Sequence, residues 1–378
     1  MKIPFIYGKV AIGNNFTDRQ EELKHLKKNF LSGINTLLIS PRRWGKSSLV
    51  QKAVDEIKAE EKNIRIVQLD LFNLRTEEEF YKSISEKLLK AISSRLEEVI
   101  ANTQKFMKQW VPKITFSPDA QQEFSFGLDW REIKKQPGEI LDLAENIAVE
   151  KGIRILINID EFQNISYFED PLAFQKKLRS HWQRHQNVTY CLYGSKRHML
   201  MNVFTSPSMP FYKFGDIIFL QKIPSGYWVN FIIEQFNATG KKISKPMSLH
   251  IATLAQNHPY YVQQLAQLCW LRTEKEVTDQ LIDEALDSLV LQLSLLFQNL
   301  TESLATTHLN FLKAVINGVK MFSAKSTIEQ YQLGTSANVS QLKKALIEKE
   351  IIDDQGGNIE ILDPIFEIWL RKYFFTGF

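Results

Sequence analysis

The residues able to do chemistry in this chain fall into two short stretches. The first, residues 37–50, reads LLISPRRWGKSSLV and closes on Gly45-Lys46-Ser47-Ser48 between an apolar run and a helix-forming run. A loop of this kind curls backbone N–H groups around phosphate oxygens. It also sets a helix N-terminus behind them, brings a lysine to the β and γ oxygens and offers a hydroxyl to Mg2+. The general pattern is Gly-x-x-x-x-Gly-Lys-Ser/Thr. Ser40 stands where the first glycine belongs, and serine is expected to tolerate the awkward opening backbone at about 1 kcal/mol. Pro41, Arg42, Arg43, Trp44, Gly45, Lys46, Ser47 and Ser48 are therefore the candidate phosphate-binding residues. Arg42 and Arg43 suit either phosphate oxygens or flanking acids, and Trp44 suits packing under the loop better than stacking on a base.

The second stretch is ILINIDEFQNI, an apolar run that ends in Asp160-Glu161. Asp160 fits a Mg2+ ligand beside Ser47, and Glu161 fits a general base for an attacking water. Ser195, just past the apolar run VTYCLYG, reads either as a contact to the γ-phosphate or as an ordinary strand-to-loop turn. An arginine near the γ-phosphate gives a large rate factor; Arg197 is one candidate, with Arg179 and Arg184 as rivals. His258, Tyr260 and Tyr261 flank Pro259; the tyrosines continue into a helical apolar stripe with Val262 and Leu265.

These residues need a scaffold, and the patterning supplies one. Residues 16–31 have a helical period, and INTLLIS and NIRIVQLDLF read as strands separated by a helix. Two further core-type strands, IRILINIDEF and VTYCLYGS, and a shorter one, DIIFLQKI, alternate with helical runs. This is the order of a parallel α/β sheet with flanking helices. Residues 112–130 alternate polar and apolar and predict an inserted hairpin. After residue 223 the pattern is helical only, and from 305 three short helices precede a ribbon turned by Gly356-Gly357. The expected domains are a P-loop core at 1–223, a helical lid at 224–304 and a winged helix at 305–378.

The bulk numbers set limits. The 378 residues are 44% hydrophobic and 24% charged, with a net charge of +4, too mild by itself to argue for nucleic acid. Cys191 and Cys269 sit in apolar runs, so reduced core thiols are expected rather than a disulfide or metal site. No signal-peptide pattern or membrane-length apolar run is present, which predicts a cytoplasmic protein with no membrane partner.

Taken together, the motifs resemble the archaeal-type ATPase family, P-loop NTPases of the STAND class related to AAA+. Phe16, Arg19, Glu22 and Leu23 resemble its entry segment, SPRRWGKSSL its phosphate loop and IDEFQNI its Asp-Glu-Phe-Gln strand end. CLYGS and QNHPYYVQQL resemble its sensor strand end and lid segment. Ser40 and Asn257 replace glycines of the family pattern. The resemblance implies ATP with Mg2+, a base pocket lined by Asp18 and Arg19 and a lid contact at Pro259. Read without it, Asp18 is a helix cap and Arg19 a surface charge. No Asn-Lys-x-Asp step of a GTPase is present.

Slow ATP hydrolysis in a nucleotide-dependent switch is the leading expectation, with a protein partner or self-association. A DNA-binding regulator with little turnover is the alternative, and a scaffold without nucleotide binding a third. The segment 305–378 carries eight basic and eight acidic residues, and Lys343-Lys344 is the basic patch on its expected recognition helix. A DNA reader normally carries a basic surplus.

Overall fold

The computed structural model describes residues 3–107, 114–116, 124–126, 133 and 137–375. Two compact units emerge, one of Arg19–Arg42 and Lys46–Gln221, the other of Met1–Asp18, Arg43–Gly45 and Lys222–Phe378. They are called here the sheet unit and the helical unit.

The sheet unit holds α1 (Gln20–Leu31), β1 (Thr36–Ile39), α2 (Lys46–Glu60), β2 (Ile64–Asp70), α3 (Glu77–Ala91) and α4 (Leu96–Met107). Strands β3 (Ile114–Phe116) and β4 (Phe124–Phe126) pair antiparallel, with Thr115 opposite Ser125. The hairpin expected at 112–130 thus has both its strands, while its connecting residues lie outside the described ones. Next come α5 (Pro137–Leu141), α6 (Leu143–Lys151), β5 (Arg154–Asp160), α7 (Pro171–Trp182), β6 (Val188–Gly194), α8 (Arg197–Thr205) and β7 (Asp216–Phe219). The parallel sheet has the order β2-β5-β6-β1-β7. Ile155, Ile157 and Ile159 of β5 pack with Val67, Leu69, Leu192, Phe80 and Phe174 in one core. A strand covered on both faces has to be apolar nearly throughout, as β5 and β6 are.

Three local readings are corrected. Residues 137–151 form two helices rather than one, broken at Asp142. Its carboxylate is drawn to His181 Nδ1 (2.8 Å) and His185 Nε2 (3.0 Å) on and just past α7. Arg19, not Asp18, takes the N-cap position of α1, with both residues at positive φ. Arg19 is also buried and paired with Glu22 at 2.9 Å, so the simple reading of a surface arginine fails. The helix α8 was not legible, because its apolar positions run straight into an irregular Ser/Pro stretch.

The helical unit contains α9 (Ser225–Asn237), α10 (Lys245–Leu254), α11 (Pro259–Arg272), α12 (Asp279–Glu302), α13 (Thr306–Ile316), α14 (Lys325–Tyr331) and α15 (Ser336–Glu348). The ribbon β8 (Ile352–Gln355) and β9 (Asn358–Ile361) and then α16 (Pro364–Trp369) complete it. Gly356 and Gly357 turn the ribbon at φ +65° and +96°, the pair of positive values a tight hairpin turn needs. Three helices and a ribbon make the winged helix.

One apolar core serves α9 to α12 and the winged helix alike. Phe297 of α12 lies 5.2 Å from Phe366 of α16, ring centre to ring centre. Trp369 Nε1 donates to Ser294 Oγ at 3.1 Å. Asp363 caps α16 by accepting from the backbone N–H groups of Ile365 and Phe366, and the buried Tyr261 hydroxyl donates to its other oxygen. Tyr261→Phe removes that donor beside a buried carboxylate. It is expected to lower stability by about 1–3 kcal/mol, read as a reduced urea midpoint with an unchanged slope.

Candidate functional site

The sheet unit assembles the core of the site at the C-terminal edge of its strands, where open parallel sheets bind ligands. Strand β1 ends at Ile39, and the following loop runs into α2, whose first residue is Lys46. The ammonium of Lys46 is buried and donates to Ser40 O (3.1 Å), Ser40 Oγ (3.2 Å) and Pro41 O (3.0 Å). Ser40 is not among the residues with positive φ; Arg43 (+63°) and Gly45 (+90°) are. The expected strain at Ser40 is therefore absent. The left-handed step of this loop falls on an arginine, and the serine hydroxyl acts as an acceptor for Lys46.

Ser47 Oγ donates to Asp160 Oδ2 at 3.0 Å, which joins the two sequence motifs across 113 positions. Asp160 Oδ1 accepts from the Glu161 N–H at 2.8 Å. Burial pushes the Asp160 carboxyl up to about 6, against the pull of that N–H; the neighbouring Glu161 charge adds to the rise. A half-buried carboxylate and a serine hydroxyl within hydrogen-bond reach are hard oxygen donors of the kind Mg2+ takes.

Glu161 stands at φ +52°, just past the end of β5. Its Oε2 accepts from Ser195 Oγ (3.0 Å), from Ser195 N (3.4 Å) and from Gln163 Nε2. Ser195 is buried and faces Glu161, so the strand-end contact is a contact to the acid. Arg197 opens α8 two residues later. Its rivals are engaged elsewhere. Arg179 Nε donates to Pro210 O at 3.1 Å with its guanidinium 5.0 Å from the Phe214 ring, and Arg184 lies 3.7 Å from Asp142.

Asp70 and Tyr193 were not singled out from sequence, and Gln163 entered only as the last residue of the Asp-Glu-Phe-Gln pattern, with no role given. Asp70 ends β2 in register with Asp160, and the pattern IVQLD, an apolar strand ending in an acid, was its available signal. Tyr193 is buried one residue past Leu192, the partner of Ile159. Burial, and then the Asp160 charge, push its phenol well up.

Within the helical unit, the Arg43 guanidinium lies 4.5 Å from the Tyr260 ring centre, a cation–π distance, and its charge also acts on the Asp363 carboxyl. Trp44 is buried and meets His258, the residue before α11, edge-on at 6.4 Å, so it packs rather than standing open to stack on a base. Asn257 adopts φ +57°, a conformation asparagine tolerates better than most residues, which accounts for its standing where the family pattern has glycine. Pro259 is the first residue of α11. Lys343 pairs with Asp354 of the ribbon and Lys344 lies 3.9 Å from Glu348, so both lysines of the basic patch meet acids of their own domain.

Residues 44–167 match the family described as the KAP family P-loop domain. Residues 295–372 match the family described as "Probable winged helix domain". The chain thus carries a segment that matches a P-loop domain family and, after it, one that matches a winged-helix family. Among solved structures it is similar to the Walker-type ATPase paby2304 of Pyrococcus abyssi, at 19% identity and a TM-score of 0.67 over 97% of this chain and 99% of that one. It is also similar to the Aeropyrum pernix ORC2 protein, solved as ADPNP–ADP complexes, at 13% identity and a TM-score of 0.56 over 97% and 96%. No curated protein sequence matches the chain. The expected architecture, a parallel P-loop ATPase sheet with flanking helices and a C-terminal winged helix, is the one found. Among the described residues no helix is long and apolar enough to cross a membrane.

His258 is buried and its imidazole is pushed down to about 3, first by burial and then by the Arg43 and Lys222 charges. The unfolded chain binds this proton near pH 6.5. Between those values only the unfolded state is protonated, so stability falls as pH drops from 6.5 toward 3. At pH 5 the loss is roughly 2 kcal/mol. Unfolding free energies from urea titrations at pH 7 and pH 5 should diverge by that much more in the wild type than in His258→Gln.

Proposed function

We propose that the chain binds ATP at the β1–α2 loop and hydrolyses it slowly, as a nucleotide-dependent switch. The observation that carries the reading is the 3.0 Å contact between Ser47 Oγ and Asp160 Oδ2, which puts the loop hydroxyl and the strand-end acid at one point. Ser47 and Asp160 would hold the Mg2+ that accompanies ATP. Bound there, Mg2+ neutralises charge on the β and γ oxygens. Lys46 would exchange its bonds to Ser40 and Pro41 for bonds to those oxygens. Glu161 accepts the proton of the attacking water, and Ser195 orients that carboxylate.

Ser40 acts, on this reading, on nucleotide affinity through its bonds to Lys46 rather than through backbone strain. The Lys46 ammonium already has three oxygen acceptors in the loop, and binding phosphate means giving some of them up. ATP rather than GTP, the placement among STAND ATPases, and the nucleotide contacts of Asp18, Arg19, Pro259 and Arg197 rest on the family resemblance. Lys343 pairs with Asp354 of the ribbon and Lys344 lies near Glu348, and 305–378 carries as many acids as bases, which favours a protein partner over DNA for that domain. The switch works, on this reading, by passing the state of the nucleotide to that partner.

With Mg2+ and ATP at a hundredfold excess over Kd, the wild type should gain about 2.7 kcal/mol in thermal unfolding. Lys46→Ala should lose this gain, and its phosphate release should drop to background. Wild-type release no higher than that of the variant would sink the hydrolytic reading. Ser40→Gly removes one acceptor from Lys46, so ATP affinity should rise about fivefold, equivalent to about 1 kcal/mol, in a calorimetric titration.

A further inference from the structure

We infer that Gln163 is a positioning residue for the general base, fixing the Glu161 carboxylate against Ser195. This rests on the hydrolytic reading above.

Gln163 is 1% exposed, and its Nε2 donates to Glu161 Oε2. Its Oε1 is buried and has no hydrogen-bond partner among the described residues. Burying an amide oxygen unpaired is unfavourable, so packing alone would place an apolar residue here. The neighbouring backbone is shaped around the same side chain. A Cβ added at Gly194 would lie 1.9 Å from Gln163 Oε1 and 3.3 Å from Glu161 Cα, so only glycine leaves the amide its room. Glu161 itself is held at φ +52°, a conformation that is unfavourable for a residue with a side chain. Two unfavourable features and one glycine that makes room thus converge around the Glu161 carboxylate, whose other donors are Ser195 Oγ and N. They make sense together as a device that keeps the base in one orientation. Fixed geometry of this kind raises the rate of proton transfer without altering nucleotide affinity. Ser166 Oγ donates to Gln163 O at 2.7 Å and Asn164 Nδ2 donates to Leu71 O at 3.2 Å, so the short turn that carries Gln163 is itself anchored.

The test is steady-state phosphate release by the full chain with ATP and Mg2+. Gln163→Met keeps the volume and removes the donor. Its kcat should fall about tenfold, a fraction of what a general base supplies, while KM and thermal stability stay at wild-type values. Gly194→Ala, which displaces Gln163, should lower kcat in the same way. Added to Gln163→Ala, the same substitution should cause no further loss, since the clashing amide is gone. An unchanged or raised kcat in Gln163→Met overturns the inference, as does additivity of the Gly194 and Gln163 changes. If the wild type releases no phosphate, the proposed hydrolysis fails and this inference falls with it, a result distinct from wild type and variant turning over alike.

Discussion

The half-buried Asp160 carboxylate at the end of β5 is the constraint around which the sheet unit is arranged. A charged group at the end of a largely apolar strand is tolerated only where donors reach it, and here they come from two directions. The Glu161 N–H comes from its own backbone and the Ser47 hydroxyl from the helix after β1, while the Asp70 strand end, a second acid, runs alongside in register. The strand order follows the same logic. With β6 between β5 and β1, the residue after β6 stands next to both the acid pair and the phosphate loop. That is why Ser195 reaches Glu161 from 34 positions away.

Much of this was legible in the amino acids, and the reasons differ by element. Strands β5 and β6 announce themselves because a strand covered on both faces is apolar at nearly every position. The phosphate loop is legible because its few residue types have few other uses at a strand-to-helix turn. The winged-helix ribbon is legible because two successive glycines permit a turn that few other pairs do. What could not be read depends on distant partners. The break at Asp142 exists because two histidines some forty positions away draw its carboxylate, and no local signal encodes that. Arg19 looks like a surface charge in isolation, yet the fold buries it against Glu22.

The loop shows most clearly how a pattern can mislead. A missing glycine suggests a strained backbone at Ser40, because glycine is usually kept for conformations other residues avoid. In this chain the left-handed residues are Arg43 and Gly45, three and five positions further on. Ser40 matters through its hydroxyl and carbonyl instead. The same substitution thus changes from a backbone defect into a polar restraint on Lys46.

The shared core of the helical unit has a thermodynamic consequence. Helices α9 to α12 and the winged helix look like separate domains along the chain, but they bury their apolar faces against each other. Segments that share a core gain and lose order together. The Tyr261–Asp363 bond and the Phe297–Phe366 contact therefore belong to one cooperative folding unit. A winged helix built this way is not a bead on a tether; its order is a readout of the helices it is welded to.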